Sequence, residues 1–174
     1  MQMNETKNQM VHLIPKLRRY ARALISDIDR ADDLVQDTLT RALSRLELWK
    51  PGTDLRAWLF TIMHNVFVND YKKNSRTGIK VSITEANEAE ETLSYQDSPI
   101  NAIELNDCIR SLMKLPIEQR EVILLVALEG LRYTEVAEVM GVPVGTVMSR
   151  LSRGRNAMRV AMEGNQTNRL KSVK

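Results

Sequence analysis

Residues 133–151, YTEVAEVM-GVP-VGTVMSRL, decide the fold of the C-terminal half. They predict a short helix, a turn of three residues beginning at Gly141, and a longer basic helix, which is the order of a helix-turn-helix. Ala137 is small enough to let the two helices cross closely. At about 100° per residue, one face of the second helix collects apolar or small residues, which we expect to be buried against the first helix. These are Val147, Leu151, Gly154 and Met158.

The opposite face of this second helix is polar and basic. Hydroxyl, amide and guanidinium groups in one row can read base edges in the major groove and hold phosphates. An ordinary surface helix of a bundle is the alternative interpretation, but the turn, the small residue and the periodicity agree with DNA binding. The row consists of Thr146, Ser149, Ser152, Arg153 and Asn156.

Periodicity in the N-terminal half predicts three further helices. The first buries Leu13, Leu17 and Leu24, and the second follows Asp29 as its N-cap. The third runs from about Asp54 to Lys73 and carries Asn65 and Asn69 on one polar face that ends in basic residues. Asparagine is a poor helix former, so two on one face need a reason, although an ordinary solvated face stays open on this pattern alone.

Charge is distributed unevenly over the 174 residues, although the net charge is only +3. Residues 81–109 contain seven acids and no Lys or Arg, whereas residues 144–174 contain seven bases and one acid. A polyanion partner for the basic end is one explanation, and a solvated basic tail is another. We expect an all-α chain of two small helical domains, 1–76 and 103–174, joined by a flexible acidic linker at 77–102.

Several functional classes are excluded by composition. The single Cys108 cannot form an intramolecular disulfide, and His12 and His64 show no metal-ligand spacing, so we expect neither a metal nor a cofactor. His64 is expected to lie at an exposed rim. The sequence shows no cluster of an acid, a base and a nucleophile that would indicate an enzyme. No apolar run is long enough for membrane insertion, so the expected location is the cytoplasm.

Two sets of motifs resemble the extracytoplasmic-function sigma factors of bacterial RNA polymerase. Leu34-Val35-Gln36-Asp37, Ala42-Leu43 and the run LRAWLFTI at 55–62 are similar to the second conserved region of that family. The fourth region is matched by Leu115-Pro116, Arg120-Glu121-Val122, Glu129-Gly130-Leu131, Tyr133 to Ala137 and Gly145 to Arg150. Both sets occur in the right order with a linker between them.

The resemblance implies an alternative sigma factor that binds core RNA polymerase and directs it to specific promoters in a stress or signal response. It also implies regulation by an anti-sigma factor. The clamp helices of the largest polymerase subunit would contact the outward face of the second helix, at Asp33, Gln36, Asp37 and Arg41. The melted strand of the −10 element would be held by Trp49, Lys50, Asn65, Asn69, Lys72, Lys73 and Arg76.

Duplex DNA of the −35 element would be contacted by Thr146, Met148, Ser149, Ser152, Arg153 and Asn156. Met148 stands where the family frequently has Arg or Lys. A methionine cannot make a bidentate bond to guanine, so we expect this position to make an apolar contact or none.

Two other protein classes account for part of this pattern. A conventional helix-turn-helix regulator without sigma activity usually dimerises on a palindrome and needs no polymerase-binding face. An adaptor that only binds proteins would leave the basic row unexplained. Oligomeric state and the requirement for polymerase discriminate between these hypotheses.

Overall fold

A computed structural model describes residues 2–76 and 99–172, with side chains for residues 4–73 and 105–164. Within these ranges the chain is helical and has no strand, which confirms the expected all-α class. The first module contains α1 (Gln2–Leu24), α2 (Ile28–Ser44), a 3₁₀ turn (Leu46–Leu48) and α3 (Leu55–Arg76). The second contains α4 (Pro99–Met113), α5 (Ile117–Ile123) with a π-helical turn (Leu124–Leu128), α6 (Tyr133–Met140) and α7 (Val144–Ser172).

The first module is a three-helix unit in which α2 packs against both α1 and α3. Leu17 and Leu24 of α1 are buried as predicted, whereas Leu13 is only partly buried and Met10 extends the buried stripe by two turns. Tyr20 and Phe60 meet edge to face with ring centroids 5.0 Å apart. Such an aromatic pair adds about 0.5–1.5 kcal/mol to the stabilisation from burial.

The start of α2 differs from the prediction by two residues. Asp27, not Asp29, is the N-cap, and its side chain accepts a hydrogen bond from the Arg30 amide at 3.0 Å. Both aspartates suit a helix start, so propensity alone did not choose between them. Val35, Ala42 and Leu46 recur at helical spacing and are buried.

The second module is built on α7, which packs against α4, α5 and α6. The segment from Ile117 to Leu128 is not one continuous α-helix, because its last part is a π turn in which the Glu129 amide donates to the Leu124 carbonyl, five residues back. This wider turn changes the direction of the residues after Leu124. Gly130, at φ +65°, then ends the helix.

The beginning of the second module lies earlier than the predicted domain boundary. Helix α4 starts at Pro99, inside the stretch 77–102 that was assigned to the linker. Residues 77–98 lie outside the described part of the chain, so the predicted linker there stays a prediction.

The two modules pack against each other, with α1 contacting α5 and the π turn, and α3 contacting α6. Buried apolar side chains of both modules form one continuous cluster. The prediction of an exposed His64 is wrong, because its side chain is only 12% exposed and its Nδ1 lies 2.6 Å from Oε1 of Glu121. His64 does face away from the core of its own module, but the second module covers it.

None of the described helices is both long enough and apolar enough to span a membrane.

Candidate nucleic-acid interface

The turn of the helix-turn-helix has the geometry that the sequence predicts. Gly141 ends α6 in the left-handed region at φ +62°, which glycine adopts without steric cost. The Val142 amide donates to the Ala137 carbonyl at 3.0 Å, and the amides of Thr146 and Val147 donate to the Pro143 carbonyl. The turn is therefore tied to both helices and fixes the angle at which α7 leaves it.

Helix α7 separates a buried face from an exposed one. Val147 and Leu151 are fully buried, and Gly154 lies directly against α5. Met148 is 52% exposed. Thr146 is partly buried, whereas the other predicted duplex contacts are exposed, namely Ser149, Ser152, Arg153 and Asn156. All six predicted contacts to the −35 element thus lie on one helix. Thr146 and Arg153, two turns apart, share one side of it.

Two arginines of the exposed face are held by neighbouring side chains. Arg153 donates to the Ser149 carbonyl at 3.2 Å and to the Ser149 hydroxyl at 3.3 Å. Arg159 donates to the Asn156 amide oxygen at 2.9 Å and pairs with Glu163 at 3.0 Å. Side chains restrained in this way lose less rotational freedom when they bind a ligand. Asn156 is consequently committed to Arg159 in the free protein, which the sequence did not indicate.

The N-terminus of α6 carries a cap made by Glu135. Its carboxylate accepts hydrogen bonds from the Arg132 side chain at 2.9 Å and from the Arg132 backbone amide at 2.7 Å. These bonds, the side-chain one first, hold the pKa of Glu135 below its usual value. The cap secures the first helix of the helix-turn-helix, against which α7 is positioned.

On the first module, α3 presents the predicted polar stripe to solvent. Asn65, Asn69, Lys72 and Lys73 are all exposed on this helix, while Met63 and Val66 are fully buried on the other side. The side chain of Arg76 lies outside the described residues. An exposed row of amides that ends in cations can hydrogen-bond unpaired bases and follow a phosphate backbone.

The turn before α3 is tightly built. Pro51 and Gly52, at φ +91°, occupy the central positions, and the Thr53 amide donates to the Lys50 carbonyl at 3.2 Å. Proline followed by a glycine of positive φ is the sequence of a type II turn. Lys50 is exposed, whereas Trp49 is partly buried against the core and its indole nitrogen is buried without a hydrogen-bond partner. Only the exposed edge of Trp49 is available to a ligand in this conformation.

The outward face of α2 is polar along its length. Asp33, Gln36, Asp37 and Arg41 are exposed, and so is Leu43, at 51%. The apolar Leu43 and Leu48, the latter 68% exposed, therefore border the charged residues. Protein interfaces combine apolar and polar surface, and exposed Leu43 and Leu48 beside these charged residues supply both.

The structure places Glu121 and Glu129 between the modules, a position that the motifs containing them do not predict. Both are carboxylates beside a continuous apolar run, VILLVAL at 122–128, and both are buried. A carboxylate that flanks such a run could have been noticed, since buried charges require partners.

One helical module presents an exposed basic recognition helix, and the other presents a stripe of amides and lysines. Together they define a DNA-binding protein with two separate DNA-reading modules. Residues 10–64 match the family described as the Sigma2 domain of PhyR, and residues 107–158 match Sigma-70, region 4. Over 152 residues the chain is 39% identical to the ECF RNA polymerase sigma factor EcfG of Rhodopseudomonas palustris, covering 87% of this chain and 82% of that protein. The chain belongs to the extracytoplasmic-function (ECF) family of RNA polymerase sigma factors.

Solved structures of relatives agree with this assignment. The sigma factor RpoE, in complex with the anti-sigma factor NepR from Bartonella quintana, is 31% identical with a TM-score of 0.74, over 91% of this chain and 97% of that one. CnrH in complex with the cytosolic domain of CnrY is 25% identical with a TM-score of 0.64, over 91% and 88% of the two chains.

Proposed function

We propose that this ECF sigma factor divides promoter recognition between its two modules, over residues 1–76 and 103–174. The first module binds the clamp helices of core RNA polymerase and holds the melted −10 element. The second binds the −35 element as a duplex. Family membership supports the activity as a whole, and the placement of exposed polar faces on α2, α3 and α7 supports this division.

The observation that carries the proposal is the exposed polar row on α7, which is the second helix of a well-formed helix-turn-helix. Arg153 is restrained by Ser149, and the row lies on the side of α7 away from α5. A recognition helix of this kind enters the major groove and presents its outward side chains to base edges. For the −10 element, the proposed contacts are Trp49, Lys50, Asn65, Asn69, Lys72, Lys73 and Arg76.

Regulation by an anti-sigma factor is part of the proposal. The similar sigma factor RpoE from Bartonella quintana is in complex with the anti-sigma factor NepR, which supports this part of the proposal. The site of action proposed for the chain is the cytoplasm, where RNA polymerase is found. A conventional helix-turn-helix regulator is not favoured, because residues 10–64 match a sigma module that such a regulator does not need.

Core binding tests the role of the first module. The double variant Gln36→Ala, Asp37→Ala should weaken binding to core polymerase by about tenfold or more, because it removes hydrogen-bonding groups from the centre of the proposed contact. Its binding to an isolated −35 duplex should be unchanged. Fluorescence anisotropy of the labelled full chain measures both affinities.

Glu47→Ala is a matched control, since Glu47 is an exposed acid of the same module outside the proposed contact. Equal losses of core affinity in the control and in the double variant would contradict the assignment of this face of α2.

A further inference from the structure

An open cavity of about 560 Å³ lies between α1 and the second module. Its volume falls within the range of about 300–1,000 Å³ that is typical of small-molecule sites. None of the described residues that line it belongs to the proposed contacts with DNA or core polymerase. One wall is apolar and comes from the second module. Its main residues are Leu105, Ile109 and Leu112 of α4, Ile123 and Leu124 where α5 meets the π turn, and Met158 of α7.

The opposite wall is cationic and comes from α1. Arg18, Arg19 and Arg22 line it beside Pro15 and Ala23, and no acidic residue is among the described residues that line the cavity. Arg18 and Arg22 are four residues apart, so their side chains lie on the same side of the helix. Like charges at this spacing repel each other, and an anion bound between them would remove that repulsion.

Two acids just outside the cavity neutralise two of these arginines. Arg19 donates to Glu129 Oε1 at 3.0 Å, and Arg22 pairs with Asp32 at 3.4 Å. Arg18 is exposed and makes no ion pair with any residue in the described ranges. Three arginines against two acids leave one positive charge at the rim of the cavity, which matches the charge of a monoanion.

The guanidinium of Arg22 has unused capacity to donate hydrogen bonds. Its distances of 3.4 Å to both carboxylate oxygens of Asp32 are long, since charge-assisted hydrogen bonds of this type usually measure about 2.7–2.9 Å. Its Nε is buried without a hydrogen-bond partner, which is unfavourable for an N–H donor. A carboxylate accepts two parallel hydrogen bonds from a guanidinium group, so a ligand carboxylate at this wall would satisfy donors that the free chain leaves unused.

The dimensions of the cavity favour a single carbon chain over a folded peptide segment. Its α1 side extends from Pro15 to Ile25, which is about 15 Å at about 1.5 Å per residue. A helix of that length with a diameter of about 10 Å occupies about 1,200 Å³, which is twice the volume present. A carbon chain advances by at most about 1.5 Å per bond, so a chain of about ten or more bonds is needed to span the cavity.

We propose that this cavity binds a long-chain carboxylate, with its alkyl chain against the apolar wall and its carboxylate between Arg18 and Arg22. The single uncompensated charge at the rim favours a carboxylate over a phosphate monoester, which carries a charge of about −1.5 to −2 near pH 7. The apolar wall favours a ligand with a long alkyl chain over a small polar anion. This ligand site goes beyond the proposed recognition of promoters.

Isothermal titration calorimetry of the full chain with decanoate and dodecanoate, below their micellar concentrations, tests the proposal. Dodecanoate should bind as one molecule per chain and about 15-fold more tightly than decanoate, since each of the two added methylenes contributes about fourfold, or about 0.8 kcal/mol. Dodecyltrimethylammonium has the same alkyl chain with the opposite charge. It should bind about tenfold or more weakly than dodecanoate, because its charge meets the arginines.

Cys108 provides a reporter inside the cavity. It is the one cysteine of the chain, it is partly buried and it lines the apolar wall. Burial raises the pKa of its thiol, so alkylation by N-ethylmaleimide is followed at mildly alkaline pH, where more of the reactive thiolate is present. Dodecanoate at ten times its Kd should slow this alkylation about tenfold, because only about one chain in eleven is then free of ligand.

Substitution of the arginines tests the carboxylate end of the site. The double variant Arg18→Gln, Arg22→Gln should weaken dodecanoate binding by about tenfold or more, because it removes both charged donors. Arg18→Gln alone changes an exposed residue and should show part of this loss in a chain that stays folded. Lys16→Gln is the matched control, since it removes a cation from an exposed position of α1 that does not line the cavity.

Filling the cavity tests the alkyl end of the site. Ala127 lines the cavity and is exposed, so Ala127→Trp should occupy part of the space and abolish dodecanoate binding without disturbing the core. Ala157→Trp is the matched control, because Ala157 is an exposed alanine of α7 outside the cavity.

Absence of dodecanoate binding, or equal affinities for dodecanoate and dodecyltrimethylammonium, would overturn the proposed site. So would equal dodecanoate affinities for Ala127→Trp and Ala157→Trp, or binding that leaves the alkylation rate of Cys108 unchanged. Protection of Cys108 by an acidic amphipathic peptide, but not by dodecanoate, would overturn it in favour of a protein ligand.

Discussion

Two glycines of α7 show how single residues divide between folding and binding. An added Cβ at Gly154 would lie 2.7 Å from Cδ1 of Ile123 and 3.3 Å from Cβ of Gln119, so this glycine allows α7 to pack closely on α5. At Gly145 an added Cβ would meet nothing within 4 Å, and the backbone there is not left-handed. The folded chain itself has no requirement for glycine at 145, and the proposed duplex supplies one, since glycine permits close approach of a ligand to the backbone.

The same substitution should therefore act in opposite ways at the two positions. Gly154→Ala should destabilise the protein by about 1–3 kcal/mol through overpacking, as measured by thermal unfolding. Gly145→Ala should leave the melting temperature unchanged or raise it slightly, because alanine has a helix propensity up to about 1 kcal/mol more favourable than that of glycine. It should weaken binding to a −35 duplex. Unchanged duplex affinity for Gly145→Ala would contradict the close approach of DNA.

Met148 makes a separate prediction about base recognition. It is an exposed apolar side chain within a polar row, and the thymine methyl is the apolar group of the major groove. Replacing the contacted thymine of the −35 element by uracil should cost the wild-type protein about 0.8 kcal/mol, which is about fourfold in affinity. Met148→Ala should lose this discrimination, as measured by anisotropy on the paired duplexes. Equal uracil penalties in the two proteins would exclude the contact.

At the scale of elements, the cap of α6 couples the helix-turn-helix to pH. The folded-state pKa of Glu135 lies below its ordinary value of 4.5, so its stabilisation is fully present above that value and is lost as the pH falls through the lower folded pKa. Glu135→Gln should lower the urea midpoint slightly at about pH 7, since the pair is exposed, and the difference from wild type should vanish in acid. Glu138→Gln, on the same helix, is the control. A difference that grows as the pH falls would contradict the cap.

Elements also show what the sequence could predict. Periodicity gave the all-α class, the helix-turn-helix and the exposed stripe of Asn65 and Asn69, because each depends on local spacing. It did not give the N-cap at Asp27, where neighbouring aspartates compete. The π turn at Leu124–Leu128 was also missed, since an apolar run looks the same in α- and π-helical geometry.

At the scale of the whole molecule, the largest difference between prediction and structure is the contact between modules. A helical period reports which face of a helix is buried, but only within the helix's own module. His64 and Glu121 are 57 residues apart in sequence, and no local pattern connects them. The burial of His64 therefore depends on the tertiary arrangement, in which α3 uses one side for its own core and another for the second module.

The whole-molecule view changes the meaning of the charge distribution as well. Basic residues on α7 and lysines at the end of α3 serve two proposed DNA contacts, whereas the interface between modules is built around two carboxylates. A net charge of +3 thus combines cationic outer faces with an interface in which buried carboxylates are matched by Arg19 and Arg56. Electrostatic attraction to DNA acts on these cationic outer faces.

Open-complex formation tests the central claim most directly. Core RNA polymerase reconstituted with the purified chain would be assayed on genomic promoter fragments, with thymine reactivity to permanganate reporting strand separation at the −10 element. The account predicts specific melting and transcript synthesis that require the chain, core enzyme and both promoter elements. A chain that binds core polymerase but melts no promoter, or that binds a palindromic duplex as a dimer without polymerase, would contradict it.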